Sequence, residues 1–208
     1  MKALNKIAEM VKEFFYPTLS CPVCLDFNKG LCMTCRASFH LFGHVSLLEG
    51  SGASLYRHDE KVMALISNYK QKMMFGAKDA MAKLILEEYE DDLSGFDFVT
   101  FAPSSRASLK RLGFDHGLLL AEGVATPLRK PVVPLFSPPS REQKILDREE
   151  RKENARNIKL MAGRLSEIRG KRGIIIDDVY TTGSTMGECM DLMKGEGVSG
   201  SYLTFSRI

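Results

Sequence analysis

The sequence predicts an α/β fold, a central parallel sheet flanked by helices, with a small four-cysteine module ahead of it. Two observations carry the sheet. Apolar runs of strand length, such as Phe98-Val99-Thr100-Phe101-Ala102, alternate with longer stretches of helical period, the pattern of strands joined by crossover helices. The run Ile174-Ile175-Ile176 is β-branched and unbroken, as expected of a strand buried on both faces. A third observation sets the module apart: four of the five cysteines lie between positions 21 and 35.

Taken in order, Leu4, Ile7, Ala8, Val11, Phe14 and Phe15 form an amphipathic stripe ended by Pro17, which predicts a docking helix. Next come Cys21-Pro22-Val23-Cys24 and, seven residues later, Cys32-Met33-Thr34-Cys35. Each pair offers two thiolates to one tetrahedral ion, and four soft ligands leave no open position. Cys21, Cys24, Cys32 and Cys35 therefore predict a structural Zn2+ site, whose ligation would supply much of the folding free energy of a segment poor in large apolar residues. Two disulfides are the alternative, disfavoured without a secretory signal. His40 and His44 are surplus to a closed shell, and Cys189, at helical spacing with Met186 and Met193, reads as a packed core thiol. The expected division is residues 1–43 for the helix and module and 44–208 for the α/β domain.

Residues 45–48 and 53–56 flank Gly50 and Gly52 and predict a hairpin. Helices are predicted over 61–69 and 77–90. The strand at 98–102 stops at Pro103, where Pro103-Ser104-Ser105-Arg106 offers two hydroxyls, backbone donors and a guanidinium. That set suits pyrophosphate, an ordinary strand-to-helix turn being the alternative. Residues 132–135 predict another strand, and the proline-rich stretch 127–140 a connection. The formal Gly-x-Gly-x-x-Gly at 195–200 follows a helix and precedes the last strand, 202–205, so its context is the reverse of a dinucleotide fingerprint and it reads as a helix stop.

The segment from Gly173 to Thr185 holds most of the chemistry. Beyond the isoleucine strand stand Asp177 and Asp178, then Thr181-Thr182-Gly183-Ser184-Thr185, then the helical pattern of Met186, Cys189, Met190 and Met193. Clustered N–H groups and hydroxyls at a helix N-terminus suit an anion. Adjacent carboxylates would repel that anion but accept hydrogen bonds from vicinal sugar hydroxyls. A phosphorylated pentose satisfies both halves, with the carboxylates on the ribose hydroxyls and the 181–185 loop on the 5-phosphate. A helix cap followed by a turn is the plain alternative. These residues resemble the phosphoribosyl pyrophosphate (PRPP) motif of type I phosphoribosyltransferases, and the resemblance implies that fold for the sheet domain.

Four separated blocks resemble the ComF family of competence-related phosphoribosyltransferase-like proteins and together cover nearly the whole chain. They are the four-cysteine segment; Tyr56 with the helix leading to Lys70; Pro103 through Arg111-Leu112-Gly113-Phe114-Asp115-His116; and residues 143–154 before the PRPP motif. Leu112 stands where the family usually has arginine, and Asp115-His116 where many members have Asn-Gln. The resemblance implies that PRPP binds with Mg2+ and that a nucleophile displaces pyrophosphate from C1. Asp177 and Asp178 would then hold the ribose, and Ser104, Ser105 and Arg106 the leaving group, with Lys70 matching a frequent family lysine. It also implies a part in DNA uptake during natural transformation, beside a competence helicase. No residue stands out as the acceptor's general base.

Composition bounds the rest. The chain has 208 residues, 44% of them hydrophobic, and a formal charge of +3, enough for an ordinary core and too little charge to argue for nucleic acid by itself. No Gly-x-x-x-x-Gly-Lys-Ser/Thr loop occurs. The apolar runs are too short to span a bilayer and the N-terminus lacks a signal-peptide block, so the expected location is the cytoplasm. Arg141, Lys144, Arg148 and Arg151 recur at helical steps; they form either a solvated face paired with neighbouring acids or a contact for single-stranded DNA. Two function classes stay open: a transferase of phosphoribose, and a binding protein that senses PRPP or joins a DNA-uptake complex without turnover.

Overall fold

The computed structural model describes residues 19–49, 52–72, 74–137 and 155–208. The opening amphipathic stripe and the basic face at 141–151 lie outside these residues. The described elements are helix α1 (Met33–Ala37), strand β1 (Ala53–Arg57), helices α2 (Glu60–Lys72) and α3 (Phe75–Ser94), strand β2 (Phe98–Phe101), helices α4 (Arg106–Leu112), α5 (His116–Ala125) and α6 (Leu165–Ile168), strand β3 (Arg172–Tyr180), helix α7 (Ser184–Gly195) and strand β4 (Ser199–Arg207).

The strands form one parallel sheet in the order β1-β4-β3-β2. Its centre is β3, where Ile174, Ile175 and Ile176 are fully buried. Pleating sends them to opposite faces. Ile174 and Ile176 pack with Leu203, Phe205 and side chains of α2, α3 and α5, such as Leu65, Ile85 and Leu120. Ile175 packs with Met186, Cys189 and Met193 of α7 and with Leu135, Ile158 and Ile168. Both faces are therefore covered, as the unbroken β-branched run requires. Cys189 is completely buried, in keeping with a core thiol.

Two expected elements are corrected. Residues 45–48 do not pair with β1 in a hairpin; Leu47–Glu49 is a 3-10 turn, and β1 pairs with β4 instead. The backbone of Leu47 is satisfied by side chains, its N–H donating to Asp92 Oδ1 at 2.8 Å and its carbonyl accepting from Ser201 Oγ at 2.5 Å, so burial there needs no sheet partner. Residues 132–135 make only a single bridge, Val99 with Val132; Pro131, on the side that faces β2, has no N–H to extend the ladder. Gly195 ends α7 as expected, and Gly197 follows with φ +72°.

The cysteine module rests on the helical layer. Asn68 of α2, a buried residue, donates from Nδ2 to the carbonyl of Pro22 at 2.8 Å. Arg36 of α1 pairs with Glu87 of α3 at 2.7 Å, and Phe39 meets Tyr56 edge-on. No helix among the described residues is long and apolar enough to cross a membrane.

Candidate functional site

Strands β1, β2 and β3 end on one side of the sheet, and beyond them opens a cavity of about 420 Å³. This is the crevice where parallel α/β sheets gather ligands. Its lining includes Asp177, Asp178, Thr181 and Thr185 from β3 and its loop, Ser104 and Ser105 after β2, Lys70 of α2, and His58 after β1. Ser108, Arg111, Leu112 and His116 line it on the α4–α5 side. Four cationic or imidazole groups, Lys70, Arg111, His58 and His116, thus face two carboxylates, a mixed surface for a ligand that carries both anionic groups and hydroxyls.

The two aspartates differ. Lys70 Nζ pairs directly with Asp178 Oδ2, and their side chains are only 18% and 5% exposed. Burial pushes the Asp178 carboxyl up, but the charges of Lys70 and His116 outweigh it and hold the carboxyl below its ordinary range. Among the described residues Asp177 has no such ion pair. Burial and then the charge of Asp178 push its carboxyl well above the ordinary range, while its Oδ1 accepts from the N–H of Asp178 at 2.9 Å. Lys70 is therefore anchored across the cavity on Asp178.

The 181–185 loop divides between two surfaces. Thr181 and Thr185 face the main cavity, whereas Thr182, Gly183 and Ser184 line a neighbouring recess with Arg156, Tyr180 and Glu188. Gly183 has φ +77°, and a Cβ there would lie 2.2 Å from the Tyr180 hydroxyl. Only glycine fits both constraints. As the N-cap of α7 it offers no side-chain hydrogen bond, so no residue at that position caps the first N–H groups of the helix.

The loop after β2 is more committed than its sequence suggests. Ser104 Oγ donates to Asp115 Oδ1 at 2.9 Å, and Ser105 Oγ caps α4 by accepting from the Ser108 N–H at 3.1 Å. Both serines are buried and line the cavity. Both Arg106 and Arg111 are exposed, but Arg106 lies outside the lining and Arg111 within it. A helical-period reading from Ser105 through Ser108 to Arg111 and Leu112, at steps of three and four, would have found the inward face of α4. His58 had no sequence signal beyond its residue type, and His116 only its place in the block that resembles the ComF family.

The four cysteine Sγ atoms all lie within 4.8 Å of one another, with Cys24 and Cys32 sulfurs 3.9 Å apart. Sulfurs about 2.3 Å from a tetrahedral zinc sit about 3.8 Å from each other, so Cys21, Cys24, Cys32 and Cys35 fit that ion in number, chemistry and spacing. Burial and the neighbouring sulfurs push the Cys35 thiol up to about 12. Burial also opposes ionisation of Cys21, yet backbone N–H groups of Cys32, Cys24 and Val23 bring its thiol down to about 6. Crowded thiols resist joint ionisation unless a cation joins them. The surplus histidines are accounted for, His40 meeting Asp59 at 3.1 Å and His44 meeting Asp92 at 3.0 Å.

Residues 116–206 match the family described as the phosphoribosyl transferase domain. The match spans α5, β3, the 181–185 loop, α7 and nearly all of β4, and over this stretch the chain is phosphoribosyltransferase-like. Solved structures similar to it include adenine phosphoribosyltransferase from Saccharomyces cerevisiae, at 14% identity over 84% of this chain and 86% of that one with a TM-score of 0.42. Another is the Giardia lamblia enzyme complexed with 9-deazaadenine, at 14% identity over 84% and 96% with a TM-score of 0.44. Orotate phosphoribosyltransferase from Aeropyrum pernix is 17% identical over 82% and 77%, with a TM-score of 0.38. Comparison with curated proteins gives no match.

Proposed function

We propose that the protein binds Mg-PRPP in the cavity at the ends of β1, β2 and β3 and transfers its phosphoribosyl group to an acceptor, releasing pyrophosphate. The observation that carries this is the juxtaposition of Asp177 and Asp178 with Thr181 and Thr185 of the 181–185 loop, inside the stretch that matches the phosphoribosyl transferase domain. The aspartates accept from the ribose 2- and 3-hydroxyls, and the 181–185 loop holds the 5-phosphate from its cavity face, Thr181 and Thr185. Ser104 and Ser105 border the leaving pyrophosphate, with Arg111 supplying the guanidinium that Arg106 was expected to supply. Lys70 balances Asp178, so the pocket does not present two bare carboxylates to a polyanion.

Mg2+ travels with PRPP and would neutralise pyrophosphate charge. The protein's own groups orient the sugar and stabilise the leaving group, which suits a reaction whose transition state has oxocarbenium character. Zn2+ on Cys21, Cys24, Cys32 and Cys35 is structural in this account, and the hydrogen bond from Asn68 to Pro22 ties it to the helix that carries Lys70. The role in DNA uptake, with single-stranded DNA and a competence helicase as partners, rests on the ComF resemblance alone. A non-catalytic PRPP sensor or scaffold uses the same pocket without turnover.

The test is pyrophosphate release from Mg-PRPP by the zinc-loaded full chain, offered nucleobases, ammonia and water in turn. Release that requires the protein and fails in Asp178→Asn supports transfer. Binding without release to any acceptor overturns it in favour of the sensor.

A further inference from the structure

We propose that His58 is the general base of this reaction, taking the proton from the nucleophile that attacks C1 of PRPP. The assignment rests on the PRPP reading of the cavity and supplies the residue that the sequence left unnamed.

Position is the first argument. His58 follows β1 and lines the same cavity as the aspartates and the Ser104-Ser105 loop. The sheet order β1-β4-β3-β2 sets the loop after β2 and the segment after β1 on opposite sides of β3, which carries Asp177 and Asp178. With strands about 4.8 Å apart, those flanks are separated by roughly 14 Å. A sugar held at the end of β3, with pyrophosphate toward β2, presents the other side of C1 toward β4 and β1. Displacement in line requires the nucleophile to enter from there.

Hydrogen bonding is the second. His58 Nδ1 lies 2.9 Å from Ser206 Oγ, and that hydroxyl donates to the backbone carbonyl of Asp178 at 3.2 Å. A hydroxyl has one proton, and here it is committed to the carbonyl. Ser206 Oγ must then accept from His58, which puts the neutral ring's proton on Nδ1 and a lone pair on Nε2. Nε2 makes no hydrogen bond within the described residues. Ser206 is fully buried, so the ring is held from a fixed point in the sheet.

Charge supports the same role. Asp178 of β3 and Asp59 of the adjoining turn favour the protonated ring, Lys70 of α2 disfavours it, and burial, the largest influence, leaves the net direction downward from the ordinary 6.5. The ring is therefore mostly neutral at pH 7 and available as a base. In the reaction the nucleophile's proton passes to Nε2 as the nucleophile bonds to C1. The bond from C1 to pyrophosphate oxygen breaks with its electron pair, and pyrophosphate leaves on the Ser104 side. His58 is left as imidazolium and returns its proton to solvent. His116, whose Nδ1 is 3.4 Å from Ser104 Oγ, lies on the leaving-group side and does not compete for this task.

The experiment uses the full chain loaded with zinc, with His58→Gln, and follows both Mg-PRPP binding by calorimetry and pyrophosphate release to water and to ammonia across the imidazole pH range. The expected result is Mg-PRPP affinity within about twofold of wild type, release lowered about a hundredfold, and loss of the acid-side fall in rate. Wild-type release and pH dependence in the variant would overturn the base, as would a wild-type protein that binds Mg-PRPP and releases nothing. Failure of wild type to bind Mg-PRPP would instead remove the underlying phosphoribosyl reading. Imidazole ¹⁵N shifts of the unmutated protein give a second readout, in which a ring proton on Nε2 contradicts the assignment.

Discussion

Lys70 reaches from the end of α2 to the carboxylate of Asp178 at the end of β3, joining the helical layer to the ribose position through one ion pair. Both side chains are largely sheltered, so removing one partner strands the other charge. Lys70→Met is expected to destabilise the protein by about 3 kcal/mol and to weaken Mg-PRPP binding. Adding Asp178→Asn to it should restore part of the stability and none of the affinity. Urea unfolding of the single and double variants, with calorimetric titration of each, measures both.

Asp177 predicts the opposite stability effect. Its carboxyl is raised in the folded state, so the fold binds its proton more tightly than the unfolded chain does. That stabilisation is complete below the ordinary 3.8 and fades as pH rises through the folded value. Asp178, lowered in the fold, contributes stability above 3.8 that is lost as pH falls through its folded value. Asp177→Asn should therefore gain on the order of 1 kcal/mol at pH 7 while losing PRPP affinity, and its gain should shrink in acid. Unfolding midpoints at pH 7 and pH 4 check the sign.

The sequence and the structure part company where local pattern is not what fixes the backbone. The β3 strand, its aspartates and the helix behind Gly183 were legible because an apolar run, two carboxylates and a turn follow one another along the chain. The four cysteines were legible by spacing. Residues 45–48 resembled a strand, but the side chains of Asp92 and Ser201, which satisfy the backbone of Leu47, come from 45 and 154 residues away. Arg106 and Arg111 carry the same charge, and only the emergence of α4 from its Ser105 cap decides which one faces the cavity. The role of His58 depends on a hydroxyl 148 residues distant, which no local motif records.

That placement of the arginines gives a discriminating pair. Arg111→Ala should weaken Mg-PRPP binding about tenfold or more, the worth of a charge-assisted hydrogen bond, whereas Arg106→Ala should change it less than about twofold. Titration with pyrophosphate alone should show the same ranking. Equal losses would place the pyrophosphate elsewhere.

Zinc is expected at one ion per chain by elemental analysis, with Cys24→Ser or Cys32→Ser lowering that content. Chelation should lower thermal stability, and because Asn68 holds Pro22 of the cysteine turn, it should also loosen α2 and reduce Mg-PRPP affinity. Asn68→Ala should reproduce part of the affinity loss with zinc still bound, its own hydrogen bond contributing about 1 kcal/mol. Metal content, melting temperature and calorimetry on the same samples separate the two effects.

The most direct test of the account is a calorimetric titration of the zinc-loaded protein with Mg-PRPP, ribose 5-phosphate and pyrophosphate in turn. One molecule of Mg-PRPP should bind per chain, more tightly than either fragment, because the 181–185 loop, the aspartates and the Ser104 side of the cavity are engaged together. No binding of Mg-PRPP, or binding no tighter than that of pyrophosphate alone and unchanged in Asp178→Asn, would contradict it.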